Sequence, residues 1–204
     1  MGVFDTLETY ISDLSLSVGQ DVRAFHFDRT NRHIAAVTEQ YAILVNRPTR
    51  PVRSGPVAIA EHDRDKLTRR DQILPYVLTN WRYKCSIDGI PYEIPAEFKE
   101  ECHLATVRHV QFGKHHPEFW DPDQTNLISR GDRDGVSRVI DGTRMPLEYV
   151  EEMAADIFAV AAERGNTPQS WVEKNLGRRW NLTEEASYVL VTSINYLSKV
   201  DAKR

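Results

Sequence analysis

The sequence predicts an all-α fold, on three observations. Apolar residues recur at spacings of three and four through most of the chain, alternating β-type runs are nearly absent, and proline or glycine stands at the ends of the periodic segments. Residues 4–16 place Phe4, Leu7, Ile11 and Leu14 on one helical face. A second helix is expected over 31–46, capped by Asp28 or Thr30, with Ile34, Val37, Tyr41 and Leu44 buried and His33 in its first turn; Pro48 and Pro51 end it. A short apolar helix over 57–64 would carry His62 and Asp63. Thr68 would cap a helix over 69–84 (Ile73, Tyr76, Val77, Trp81), and Ser86 to Pro95, with Asp88-Gly89, reads as a turn. Residues 96–113 form the next helix through Phe98, His103, Val107 and Val110, closed by Pro117. The stretch 118–145 is polar and Gly-rich and reads as a long loop with room for a small hairpin at Ile128 to Ile140; loops of that length are usually functional or disordered. Met145-Pro146 opens a strong helix to about Arg164, ended by Gly165-Asn166. Helices over 168–176 and 183–198, the latter capped by Thr183, complete the chain.

The bulk numbers narrow the class. A chain of 204 residues suffices for one domain, 1–204, and 41% hydrophobic with 27% charged residues is an ordinary composition. A net charge of −4 argues against duplex nucleic acid as a partner. The basic stretch Arg47 to Arg53 (RPTRPVR) reads as a solvated loop. Two cysteines, Cys85 and Cys102, without CxxC spacing, fit a reducing cytoplasm and offer no thiolate metal site. No apolar run reaches the length of a membrane span, and the N-terminus lacks the basic and apolar regions of a signal peptide. A homodimer is the default assembly for a soluble protein.

Chemistry concentrates on imidazoles and carboxylates, the side chains that hold borderline and hard divalent metals. His62-Asp63 is an adjacent pair; on a helix its members diverge by about 100°, so partners from other helices must complete a site. His33 precedes it. His109, His115 and His116 crowd with Glu118 into ten residues, and such crowding is disfavoured unless some rings stay neutral, as ligands must. Asp156 lies in Met153-Ala-Ala-Asp156-Ile-Phe158, among residues expected to face the core; a buried carboxylate there needs a cation or an arginine. His26 is expected to pack beside Phe25 and Phe27.

The order His33, His62-Asp63, Asp156 on helices resembles the HD superfamily of metal-dependent phosphohydrolases, whose members are all-helical with ligands in the order H…HD…D. A closer resemblance is to a largely uncharacterised phage and bacterial family with HDxSK, Pro-Tyr, HHPEYW, Met-Pro and EMxxD motifs. The chain has His62-Asp63-Arg-Asp65-Lys66, Pro75-Tyr76, His115-His116-Pro117-Glu118-Phe119-Trp120, Met145-Pro146 and Glu152-Met153-Ala-Ala-Asp156. It departs from that pattern at Asp65 (usually Ser) and Phe119 (usually Tyr), and the 121–144 loop looks expanded. The match covers roughly residues 30–175.

The closer family carries no activity over; the superfamily resemblance implies hydrolysis of a phosphoester or phosphoanhydride, on a nucleotide or related phosphorylated small molecule, in the cytoplasm (of the host, if phage-encoded). The metal would be one or two divalent ions (manganese, iron, cobalt, nickel or zinc, with magnesium admissible) held by His33, His62, Asp63 and Asp156, joined by His109, His115 and His116. Such an ion acidifies a bound water and neutralises phosphoryl charge. Asp63, Lys66 and Glu118 are the candidate catalytic residues, Lys66 by meeting a phosphate and Glu118 as general acid or as a partner orienting His115 or His116. Arg32, Arg108 and Arg144 are cations able to grip phosphates, and Trp120 can stack on a base or pack beneath the loop. Two other classes stay open: a di-iron oxygenase of the same superfamily, distinguished by bound iron and oxygen consumption, and a non-catalytic nucleotide-binding protein that contains a metal.

Overall fold

A computed structural model describes residues 2–124 and 138–203. Among them the chain is mostly helical: α1 (Val3–Val18), α2 (Val22–Val45), a 3-10 turn (Ile59–Glu61), α3 (Asp65–Thr68), α4 (Arg70–Ile87), α5 (Ala96–Phe112), α6 (Pro117–Trp120), α7 (Leu147–Glu163), α8 (Pro168–Asn175) and α9 (Glu184–Asp201), with two-residue strands β1 (Ile140–Asp141) and β2 (Trp180–Asn181). No helix among the described residues is long and apolar enough to cross a membrane. The chain divides into two compact units, Met1–Arg32 with Asp63–His109, and His33–His62 with Val110–Arg204.

In the first unit, α1 packs on α4. Leu7 and Ile11 of α1 join Val22, Leu74, Val77, Leu78, Trp81, Ile94 and Phe98 in one apolar cluster. Full burial of one such side chain stabilises by about 1.5–3 kcal/mol. The second helix starts earlier than its sequence suggests. Asp21 accepts the backbone N–H groups of Arg23 (2.9 Å) and Ala24 (3.2 Å), so it is the N-cap, while Thr30 is buried and Asp28 pairs with Arg32 one turn on. His33 therefore sits mid-helix. Thr68 is likewise no cap: it ends α3, with its hydroxyl donating to the Arg64 carbonyl at 2.9 Å. Within α4, Pro75 has no N–H to give the Asp71 carbonyl. Arg108 supplies the missing donor at 3.0 Å, which accounts for that arginine structurally. Gly89 takes φ 66° after α4, a left-handed conformation, and Ile90 N–H returns to the Cys85 carbonyl at 2.8 Å.

In the second unit, α7 packs on α9, and α8 lies against both. Val150, Met153, Ala154, Ile157 and Phe158 of α7 and Val189, Leu190, Ile194 and Leu197 of α9 are buried. Thr167 and Thr183 cap α8 and α9 through their hydroxyls, the second as the sequence suggests. The expected 118–145 loop is shorter at both ends. Proline at the first position starts the helical turn α6, and β1 pairs in parallel with β2, Ile140 opposite Trp180. Buried Asp121 ties the two sides of the loop: it accepts from Arg138 at 2.7 Å and from the Asp141 N–H at 3.0 Å. Most of the expected hairpin at Ile128 to Ile140 lies outside the described residues. The Arg47–Arg53 stretch is not simply solvated. Arg47 and Arg50 both close on Glu151, a fully buried carboxylate of α7, at 3.1 and 2.6 Å.

Candidate metal centre

The expected 57–64 helix is reduced to the 3-10 turn Ile59–Glu61, and neither His62 nor Asp63 lies in it. His62 comes next, with φ −57° and ψ 125°, and Asp63 has φ 56°, the only left-handed residue other than glycine among the described residues. Those angles are near those of a type II turn, in which the third residue must accept positive φ. Aspartate does so more readily than most residues. The pair is thus presented by a turn, and the helical divergence of neighbouring side chains does not apply.

In the second unit, α2, the His62 turn, the segment before α6, and α7 bring together His33, His62, His115, Glu152 and Asp156. His62 donates from Nδ1 to Glu152 Oε1 at 3.0 Å, and His115 Nδ1 is 3.5 Å from the same oxygen. His33 Nε2 is 3.1 Å and His62 Nε2 3.8 Å from Asp156 Oδ1. The rings of His62 and His115 are 4.2 Å apart, and those of His33 and His62 5.6 Å. His62, His115 and Glu152 are buried. Burial pushes the Asp156 carboxyl up, but the hydrogen bond from His33 and the charges of His33, His62 and His115 outweigh it and hold the group well below the usual carboxylate range. His62, His115 and Glu152 offer ligand atoms that all lie within 4.8 Å of one another, a set able to hold a metal ion. Glu152 holds the Nδ1 edge of two imidazoles, the arrangement by which carboxylates fix the tautomer and aim of metal-binding histidines. His116 is half-buried, its ring 4.1 Å from that of His115.

In the first unit, Asp63, Asp65 and His109 form a second such set, also within 4.8 Å. His109 Nε2 is 3.1 Å from Asp63 Oδ1 and its Nδ1 3.0 Å from Asp65 Oδ2. Burial and the Lys66 ammonium push the His109 imidazole down; Tyr76, the Asp63 charge and the hydrogen bond to Asp63 push it further the other way, to about 9. Lys66 Nζ reaches Asp63 Oδ2 at 2.7 Å and lies 5.1 Å above the Tyr76 ring.

Other expected site residues have structural partners. Glu118 is buried and accepts from Arg179 Nη2 and Trp180 Nε1, each at 3.4 Å. Arg32 is an exposed partner of Asp28, and Arg108 is held by Asp71 and Glu101. Arg144 is exposed. Trp120 donates to the Lys114 carbonyl at 2.8 Å and packs on Phe119 and Tyr149. The sequence reading missed Glu152, Asp65 and the role of His26. Glu152 was detectable, since it stands four residues before Asp156 on the same helical face.

A family model described as "Family of unknown function (DUF5662)" matches residues 22–199. The chain belongs to DUF5662. The matched span contains every histidine of both clusters and both sets of carboxylates. No curated protein and no solved structure matches the chain.

Proposed function

We propose that this DUF5662 protein is a divalent-metal-dependent phosphohydrolase acting on a nucleotide or a related phosphorylated small molecule, in the manner of the HD superfamily that its residue order resembles. The observation that carries the reading is Glu152 holding the Nδ1 edges of His62 and His115 while Asp156 faces the Nε2 atoms of His33 and His62. Metal-ligating histidines almost always donate their second ring N–H to such a group. Three imidazoles and the Asp156 carboxylate form a nitrogen and oxygen donor set suited to manganese, iron, cobalt, nickel or zinc. When bound, such an ion supplies a more acidic water and neutralises phosphoryl charge. His33, His62, His115 and Asp156 would hold it, with Glu152 orienting two of the rings. Asp63 and His109, with Asp65 behind His109, offer a second set of ligands. Lys66 carries the positive charge that would meet a phosphoryl oxygen.

Elemental analysis of the purified chain, followed by a phosphate-release screen over nucleotides in Mn²⁺, Mg²⁺, Co²⁺ and Fe²⁺, tests the reading. The expected result is near-stoichiometric transition metal in the wild type, lost in Asp156→Asn, with phosphate release from at least one nucleotide. Full metal content in Asp156→Asn refutes the ligand assignment. Tight nucleotide binding without turnover in any of these metals refutes the hydrolase and leaves a binding protein. A di-iron oxygenase is the second reading, favoured by the three imidazoles of the second unit; bound iron with oxygen consumption selects it.

A further inference from the structure

Asp63 holds a conformation that aspartate tolerates better than most residues but that still carries strain. Left-handed backbone at a residue other than glycine is strained and persists only where its surroundings over-determine it. The chain continues from Asp63 into a single helical turn, Asp65–Thr68, too short to be stable alone. Its ties run inward, from Lys66 N–H to the Asp63 carbonyl and from Arg69 N–H to the Asp65 carbonyl, both 3.0 Å. The Lys66 carbonyl is one of the end carbonyls that such a turn leaves without a helical partner.

That carbonyl is taken by His26. The donor and acceptor roles along the contact are forced. A carbonyl only accepts, so His26 Nε2 carries the proton and donates to Lys66 O at 2.9 Å. His26 Nδ1 is then an acceptor, and the Asn80 amide nitrogen donates to it at 2.8 Å. Asn80 Oδ1 in turn accepts from Arg29 Nη1, which can only donate, at 2.7 Å. A flipped amide or the other tautomer would set donor against donor. All four residues belong to the first unit, and His26 has no exposed surface.

We propose that His26 is a positioning residue: with Asn80 and Arg29 behind it, it pins the Lys66 peptide and so keeps Asp63 in the left-handed conformation from which its carboxylate reaches Lys66 and His109. The consequence for cation binding rests on the proposed role of Asp63 as a metal ligand; the hold on the turn does not. His26→Phe keeps a buried ring and removes both hydrogen bonds. His26→Gln keeps a donor for the Lys66 carbonyl and an acceptor for Asn80.

The test is amide hydrogen exchange on the full chain, beside Mn²⁺ affinity by equilibrium dialysis. In His26→Phe the Lys66 amide is expected to exchange about tenfold faster or more while Val77 and Leu78 amides exchange as in the wild type, and Mn²⁺ affinity to fall on the order of tenfold, the usual effect of losing a residue that orients a ligand. His26→Gln is expected to restore most of both. Unchanged Lys66 exchange, or a rise shared equally by Val77 and Leu78, overturns the proposal, because the histidine would then serve only global stability. Faster Lys66 exchange with unchanged Mn²⁺ affinity overturns its link to cation binding. If the wild type takes up no metal, the metal reading fails by itself, and a Lys66-specific loss of protection that His26→Gln reverses still establishes the hold on the turn.

Discussion

Glu151 offers the sharpest test of how the second unit is held together. It is a fully buried carboxylate on α7, and two guanidinium groups close on it. Arg50 is bidentate, with Nη2 2.6 Å from Oε2 and Nε 3.0 Å from Oε2 and 3.3 Å from Oε1, and Arg47 Nη2 is 3.1 Å from Oε1. The side chains of Arg47 and Arg50 are only 3% and 15% exposed, so neither has ready access to water as a substitute partner. Glu151→Ala removes the shared acceptor and leaves two largely desolvated cations facing each other. Breaking a buried pair in this way costs about 3–5 kcal/mol. Set against a typical total of about 5–15 kcal/mol, that is about a fifth of the margin or more. For a chain of this size each kcal/mol moves Tm by about 2–4 °C, so the expected fall is roughly 6–20 °C. Thermal unfolding followed by far-UV circular dichroism measures it. Glu151→Gln keeps one acceptor oxygen and should lie between the wild type and Glu151→Ala. A Glu151→Ala midpoint equal to that of the wild type would refute the reasoning. So would an Arg50→Ala/Glu151→Ala double variant whose loss is simply the sum of the single ones, since partners in one network do not add.

Three further perturbations have defined outcomes. Glu152→Gln should leave the fold intact and lower metal affinity about 10- to 100-fold, because it disturbs the Nδ1 edges of His62 and His115; equal metal content under dialysis against a competing chelator would contradict this. Burial, partly offset by the hydrogen bond to Lys66, pushes the His26 imidazole down to about 4. The unfolded chain then binds the proton first as pH falls, so stability is full above about 6.5, drops by roughly 3 kcal/mol between there and about 4, and loses nothing more from this residue below that; His26→Gln should flatten that part of the urea-midpoint profile, and a parallel profile would show that another group is responsible. Gly142→Ala would place a Cβ 2.8 Å from Leu182 Cδ2 and 3.0 Å from Pro117 Cβ, an overpacking that costs about 1–3 kcal/mol and should appear as a lowered Tm.

The fold was legible where a pattern is local and periodic. α1 and α5 stand close to where the apolar spacing of Leu7 and Ile11 and of Phe98 and Val107 puts them, and α7 lies between Met145-Pro146 and Gly165-Asn166. Helix starts were harder. Asp21, Asp28 and Thr30 are all good cap residues, and only the observed hydrogen bonds show that Asp21 is used while Thr30 is buried inside the helix. The β1–β2 pair was beyond reach, since two residues show no alternation and their partners lie forty positions apart in the chain.

The site was legible in composition and illegible in direction. His33, His62, His115 and Asp156 could be picked out because imidazoles and carboxylates among apolar neighbours are expensive to bury without a purpose. Charge alone gave a poor guide to which groups act and which brace. Arg108 answers the donor that Pro75 lacks, Glu118 accepts from Arg179 and Trp180, and Arg47 and Arg50 close on Glu151, although each reads from sequence as a charge free to meet a ligand or solvent. Each of these pairings joins residues more than thirty positions apart, so only the tertiary fold discloses it. His62-Asp63 shows the same limit at the shortest range. Its identity could be read directly, but the positive φ of Asp63 turns the pair out of a helix into a turn, and that angle depends on residues as distant as His26 and Asn80. A residue's chemistry is encoded at its own position; the direction in which that chemistry is offered is encoded by what holds the backbone, and here the holders lie on other helices.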